Sequence, residues 1–101
     1  MIQGIGYALY EERALDPATG LVLSTGLEDY RIPGMADVPE IDLHWDEAGF
    51  EHVAGGGVGL GEVVALPVAA AIANAVHDAT GRRQYALPIR PDRVIEPGGA
   101  R

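Results

Sequence analysis

The tract Ala54-Gly55-Gly56-Gly57-Val58-Gly59-Leu60-Gly61 ends in one carboxylate, Glu62, and runs straight into an apolar stretch. Glycines without a Cβ let a backbone approach a ligand closely, and a carboxylate held beside such a loop can take a proton or face a cation. The spacing excludes two familiar glycine loops. In the dinucleotide fingerprint G-x-G-x-x-G, Gly57 and Gly59 would have to be followed by a third glycine where Glu62 stands, and no Lys exists to complete a P-loop. Two readings of the residues remain: a ligand-facing loop with Glu62 as an acid–base group, and a structural loop in which Glu62 caps the following helix. A phosphate or nucleotide binder would use the same loop and would be stabilised by its ligand.

Other reactive side chains are scattered. His44, His52 and His77 form no pair with metal-ligand spacing such as H-x-x-x-H. Asp37, Glu40, Asp42, Asp46, Glu47 and Glu51 match no EF-hand loop and read as a solvated acidic face. No metal ligand is therefore assigned. Ser24, the one serine, sits in a β-prone run outside any nucleophile-elbow context. The absence of Cys removes thiolate chemistry and iron–sulfur ligation from this chain, and the absence of Lys removes Schiff-base chemistry.

The elements that would position the loop follow from periodicity. Ile5, Ala8 and Leu9 at helical spacing predict an amphipathic helix over 3–13 with no capping residue before it. Asp16-Pro17-Ala18-Thr19-Gly20 reads as a turn, 21–25 as a β-prone run, and 27–32 as a second strand or bend. Alternation in Glu40-Ile41-Asp42-Leu43-His44-Trp45-Asp46 predicts a strand with Ile41, Leu43 and Trp45 on one face. Residues 62–80 read as a buried helix, apolar nearly all round, with Pro67 in its first turn and Gly81 as its cap; Arg82 and Arg83 complement its negative end. Pro91 opens a short helix near the end. The fold class expected is α+β: two main helices with a short β-meander between them, a single domain over 1–94 and a frayed tail over 95–101.

Charge narrows the partners. Fifteen acids against seven Arg give a net charge of −8, which repels phosphate backbones and anionic lipid, so neither nucleic acid nor membrane is expected as a partner. The apolar run 63–73 is too short for a membrane span. No basic and apolar leader precedes residue 6, so the cytoplasm is the default location.

Four motifs in order carry a resemblance: Gln3-Gly4-Ile5-Gly6-Tyr7-Ala8-Leu9-Tyr10-Glu11-Glu12, Leu27-Glu28-Asp29-Tyr30-Arg31-Ile32-Pro33, Asp37-Val38-Pro39-Glu40-Ile41, and Gly57-Val58-Gly59-Leu60-Gly61-Glu62 followed by Ala69-Ala70-Ala71-Ile72-Ala73-Asn74-Ala75-Val76. Together they resemble the C-terminal portion of the molybdopterin-binding subunit of the xanthine dehydrogenase and aldehyde oxidase family, up to about Val94. The resemblance implies a molybdenum hydroxylase that oxidatively hydroxylates a heterocycle or aldehyde with water as the oxygen source. It places the general base on Glu62 and backbone contacts to the pterin on Val58, Gly59, Leu60 and Gly61. It also implies a molybdenum–molybdopterin cofactor, in some members of the cytosine dinucleotide form, with FAD and [2Fe-2S] clusters on partner subunits. The commoner family pattern has Lys or Arg where Val58 stands, a departure that bears on substrate and not on Glu62. Family subunits are several times longer, which implies that this chain is a portion of one and inactive alone. The reading that does not rest on the resemblance is a small acidic α+β interaction module with a structural glycine loop.

Overall fold

Two glycines stand inside the first helix, α1 (Ile2–Leu9), at positions where each costs the helix about 1 kcal/mol relative to Ala. Packing explains their presence. Gly4, Gly6 and Ala8 are the buried residues of α1, and a Cβ placed on Gly4 would lie 2.6 Å from Val68 Cβ and 3.0 Å from the Ala65 carbonyl oxygen. The backbone of α1 therefore rests directly on a 3₁₀ turn, Val63–Ala65, and on the second long helix, α2 (Val68–Thr80). The structure, a computed structural model, describes residues 1–95.

The far end of the chain returns to the same helix. Ile89 N–H donates to the Ala8 carbonyl at 2.6 Å, and these two residues, 3% and 0% exposed, are the buried apolar centre. Just beyond, α3 (Pro91–Ile95) starts at Pro91 as its sequence predicts. Arg90 bridges Glu12 and Asp92 at 3.3 and 3.1 Å, and Arg93 reaches Glu12 at 3.6 Å. These ion pairs are half-exposed and individually weak; with the Ile89–Ala8 contact they fix where the returning segment docks.

Side chains from 10–37 close the third side of α1. Asp37, in a 3₁₀ turn at Met35–Asp37, accepts from Gly34 N–H at 2.9 Å, Tyr10 O–H at 3.2 Å and Arg31 at 3.4 Å. The Arg31 guanidinium also lies 4.6 Å from the centre of the Tyr10 ring. Tyr30 O–H donates to Glu11 Oε2 at 2.6 Å. These bonds explain why α1 ends at Leu9 instead of reaching residue 13. Tyr10 and Glu11 N–H both turn back to the Gly6 carbonyl at 2.9 Å, and the Glu11 and Glu12 side chains are committed to Tyr30 and to Arg90 and Arg93.

The expected α+β class with a β-meander is not what forms: among the described residues there is no strand, only an isolated antiparallel bridge between Leu15 and Val22. That bridge closes the 16–20 turn, where Asp16 accepts from Ala18 N–H and Thr19 O–H, both at 2.8 Å. Segment 27–32 is a bend, with Asp29 and Tyr30 N–H donating back to the Gly26 carbonyl. The expected strand at 40–46 has the right alternation but no neighbour to pair its backbone; Ile41 is half-buried while Leu43 and Trp45 are 60% and 71% exposed. An alternating run without a partner strand has no ladder to join.

The helix expected over 62–80 splits at Pro67 into the 3₁₀ turn and α2. Gly81 caps α2 in the left-handed region at φ 71°, its N–H on the His77 carbonyl at 2.7 Å, while Arg83 bonds Asn74 Oδ1 at 2.8 Å. By length and composition Val63–Thr80, 18 residues of mean hydropathy 1.4, could cross a membrane. The break at Pro67 leaves a continuous α-helix of only 13 residues, about 20 Å against a hydrocarbon core of about 30 Å. Nor is α2 buried within this chain, since none of its residues reaches full burial. The chain exposes 8151 Å², against about 5,500 Å² for a compact monomer of this mass. Its radius of gyration is 17.6 Å, against about 13 Å. The expected frayed tail meets α3 at Ile95; residues 96–101 lie outside the described residues.

Candidate functional site

Glycine conformation shapes the 54–62 loop. Gly55 and Gly56 take φ of 84° and 70°, a region L side chains rarely enter, and a Cβ at Gly57, Gly59 or Gly61 would meet nothing within 4 Å. The loop bends once, through Gly56 N–H on the Val53 carbonyl at 2.8 Å, then runs open to residue 60. Among the described residues, no backbone N–H of 57–62 donates to a protein acceptor. The result is a run of amides without a protein acceptor among the described residues, ending in a carboxylate.

Glu62 stands at the junction of this loop with the helical region. Its backbone sits at φ −96°, ψ −1°, and its carbonyl accepts Ala65 N–H at 2.8 Å, while Leu60 accepts Val63 N–H at 3.1 Å. The side chain makes none of these bonds and is exposed. Glu62 thus begins the 3₁₀ turn through its backbone and leaves its carboxylate available. Val58, Gly59, Leu60 and Gly61 precede it, all exposed.

The apolar groove of the molecule is elsewhere. A groove of about 560 Å³ runs between α1 and α2, lined by Ile5, Leu9, Ile41, Val64, Val68 and Ile72 with Asp37 on its wall. No residue of 54–62 lines it. A smaller hollow of about 410 Å³ gathers Tyr10, Glu12, Arg31, Arg90 and Asp92, the charges that anchor α1. Among the described residues no three of His, Asp and Glu converge as a metal cluster. His44 and His52 are exposed and His77 is half-buried in the last turn of α2. Ser24 Oγ accepts Ala14 N–H at 3.1 Å, a role in holding the 14–23 turn.

Electrostatic perturbation also concentrates away from the loop. The Asp37 carboxyl is held below the usual carboxylate range by the Gly34 N–H, with Tyr10 and Arg31 acting in the same sense. Asp16 is lowered by the Ala18 N–H and then by Thr19. Burial raises the Tyr10 phenol, and the bond to Glu11 raises that of Tyr30. Periodicity and spacing gave no sign of this network, although its members Tyr10, Glu11, Tyr30, Arg31 and Asp37 all fall within the first three resemblance motifs.

A molybdopterin group can be tested against these residues. Its many acceptor atoms suit amides that have no protein acceptor among the described residues, and the carboxylate beside them suits proton transfer. The residues fit one edge of such a group, without a metal ligand among them.

Comparison with known proteins identifies the family and not the roles of these residues. Residues 1–39 match the profile of the molybdopterin cofactor-binding domain. The putative xanthine dehydrogenase molybdenum-binding subunit XdhA of Escherichia coli K12 is 43% identical over 96 residues, 95% of this chain and 13% of that protein. The aldehyde oxidoreductase molybdenum-binding subunit PaoC of the same organism is 35% identical over 97 residues, again 95% and 13%. The nicotine 6-hydroxylase large subunit of Paenarthrobacter nicotinovorans is 36% identical over 98 residues, 94% and 12%. This chain spans about an eighth of the length of these relatives.

Proposed function

We propose that this chain, whose sequence is that of a segment of a molybdenum hydroxylase large subunit of the xanthine dehydrogenase and aldehyde oxidase type, supplies the general base and one backbone edge of the cofactor pocket in such an enzyme. The observation that carries the reading is the loop itself: amides over 57–61 without a protein acceptor among the described residues, glycines with open space at their Cβ positions, and an exposed carboxylate at Glu62. Val58, Gly59, Leu60 and Gly61 would hold the pterin through their backbone, and Glu62 would hold and move a proton at its carboxylate. When bound, the molybdenum–molybdopterin group would supply Lewis acidity and take up the hydrogen and the electron pair of the C–H bond that breaks. Glu62, set on a backbone fixed at the start of the 3₁₀ turn, would take the proton of the attacking oxygen as it bonds to that carbon of a heterocycle or aldehyde.

The surface the chain exposes beyond that of a compact monomer supports a pocket completed by other parts of a longer subunit, and no turnover from these 101 residues alone. By the resemblance, iron–sulfur clusters and FAD would belong to partner subunits; this chain itself has no Cys to hold a cluster. A cytoplasmic location completes the proposal, with the pterin in either its plain or its cytosine dinucleotide form.

The test is Glu62→Gln in the complete molybdenum-binding subunit with its partners. Gln keeps the size and removes the basic carboxylate, so turnover falls about 10²- to 10⁴-fold at unchanged molybdenum content. Unchanged turnover overturns the assignment and favours a structural glycine loop.

A further inference from the structure

We infer that Gly4 is a positioning residue for Glu62: the absence of a side chain there sets where the 3₁₀ turn that starts at Glu62 rests on α1. The inference relies on the assignment of Glu62 as the base. On its N-terminal side Glu62 is tied only locally, through the Leu60 carbonyl that accepts Val63 N–H at 3.1 Å, and a Cβ at Gly57, Gly59 or Gly61 would touch nothing within 4 Å. On its C-terminal side the reference is firm. The Glu62 carbonyl accepts Ala65 N–H at 2.8 Å, and the Ala65 carbonyl lies where a Cβ on Gly4 would be 3.0 Å away, with Val68 Cβ and Cγ2 at 2.6 and 2.9 Å. Any side chain at position 4 must push the turn and the start of α2 outward, and Glu62 moves with the turn.

Gly6 provides the internal contrast. A Cβ there would meet the carboxylate tip of Glu11 and, at 3.2 Å, Pro33 Cδ. Glu11 can swing away on its own torsions at the cost of its bond to Tyr30, and Pro33 must give by a few tenths of an ångström, but neither belongs to the turn at 63–65 or to α2. At Gly4 the obstacles are a backbone carbonyl and the stem of a β-branched residue, which cannot step aside without their backbone. Moving a 2.6 Å contact out to ordinary van der Waals distance, 3.4 Å or more, needs a shift approaching 1 Å, and misplacement of about that size costs catalysis about 10²-fold.

The experiment uses the complete subunit with its partners and compares Gly4→Ala, Gly6→Ala, Val68→Gly, the double variant Gly4→Ala/Val68→Gly, and Glu62→Gln. Two readouts are taken: kcat and KM at measured molybdenum content, and hydrogen exchange at the Ala65 and Leu66 amides, which does not depend on activity. For Gly4→Ala we expect kcat down about 10- to 100-fold, KM nearly unchanged, metal retained and faster exchange at Ala65. Removing the Val68 side chain in the double variant should recover most of both. Gly6→Ala should leave Ala65 exchange as it was. Unchanged kcat and exchange in Gly4→Ala overturn the inference. So does a Gly4→Ala subunit that is insoluble or metal-free and is not rescued by Val68→Gly, because that marks a general folding role. If Glu62→Gln retains turnover, the base assignment fails, and the exchange comparison still decides whether Gly4 places the turn.

Discussion

The surroundings of α1 and the 54–62 loop solve opposite problems with the same residue type. Around α1, buried glycines bring backbone against backbone, and the helix is held on three sides: by the 3₁₀ turn and α2 at Gly4, by Ile89 at Ala8, and by Asp37, Arg31 and Tyr30 at its C-terminal end. In the loop, a Cβ on any of the glycines 55–61 would touch nothing, and Gly55, Gly56 and Gly61 take positive φ. One region uses its glycines for rigidity and the other for access. A carboxylate that must meet a reacting group needs both, and Glu62 lies where the two regions join.

The comparison breaks first at its most sensitive point. Glu62→Gln should cost turnover about 10²- to 10⁴-fold while amide exchange around α1 stays at its original rates, because nothing in that anchoring uses the carboxylate. A loss of protection at Ile89 in the same variant would show that loop and anchor are not separable.

The reverse change follows in size. Ile89→Ala removes the largest apolar side chain in the buried centre, next to a fully buried Ala8, and such deletions cost about 2–5 kcal/mol. Lost protection of the Ile89 amide, which donates to Ala8, measures it directly. If Gly4 alone sets the turn, exchange at Ala65 should change far less than at Ile89.

A smaller effect tests the distant end of α2. Gly81→Ala forces a Cβ into φ 71°, at about 1–2 kcal/mol, and should fray the last turn around His77. Amides near Ala65 should not respond, since α2 is referenced to α1 through Val68 at its other end.

What is legible in the sequence divides along the same line. Local signals agree with the structure: Pro91 opens α3, Gly81 caps α2, and Asp16 organises its turn, because each acts within a few residues of itself. Relations needing a distant partner do not follow from local pattern. Residues 40–46 alternate as a strand should, yet among the described residues no neighbour pairs with them, and the Leu15–Val22 bridge does not widen into a sheet. Helical spacing finds α1 but carries it past Leu9, because Glu11 bonds to Tyr30 and Glu12 to Arg90 and Arg93. The bond from Arg90 to Glu12 spans 78 positions of the chain, far beyond the reach of any periodicity. Gly4 is a weakness in an isolated helix and becomes intelligible only through its contact with Val68. For the site, spacing reaches only a glycine loop ending in a carboxylate; the roles of Glu62 and residues 58–61 come from the four ordered motifs.

The smallest expected effect concerns acid. Asp37 and Asp16 are both held below the ordinary carboxylate range, Asp37 first by the Gly34 N–H and Asp16 first by the Ala18 N–H. A lowered folded-state value means that the ionised form is bound more tightly in the fold. Its stabilisation is therefore complete above the unfolded value, near pH 4, and is lost as pH falls through the lowered folded value. The two differ in what they release. Asp16 is bonded within its own turn, whereas Asp37 joins Gly34, Tyr10 and Arg31. Asp37→Asn should flatten the acid limb of stability and loosen the Tyr10 and Glu11 amides, which turn back to Gly6; Asp16→Asn should affect only the 16–20 turn. Exchange followed from about pH 6 to about pH 3, across the carboxylate range, separates the cases in the two variants. Equal effects at Glu11 would mean that the third side of α1 is held by packing and not by Asp37.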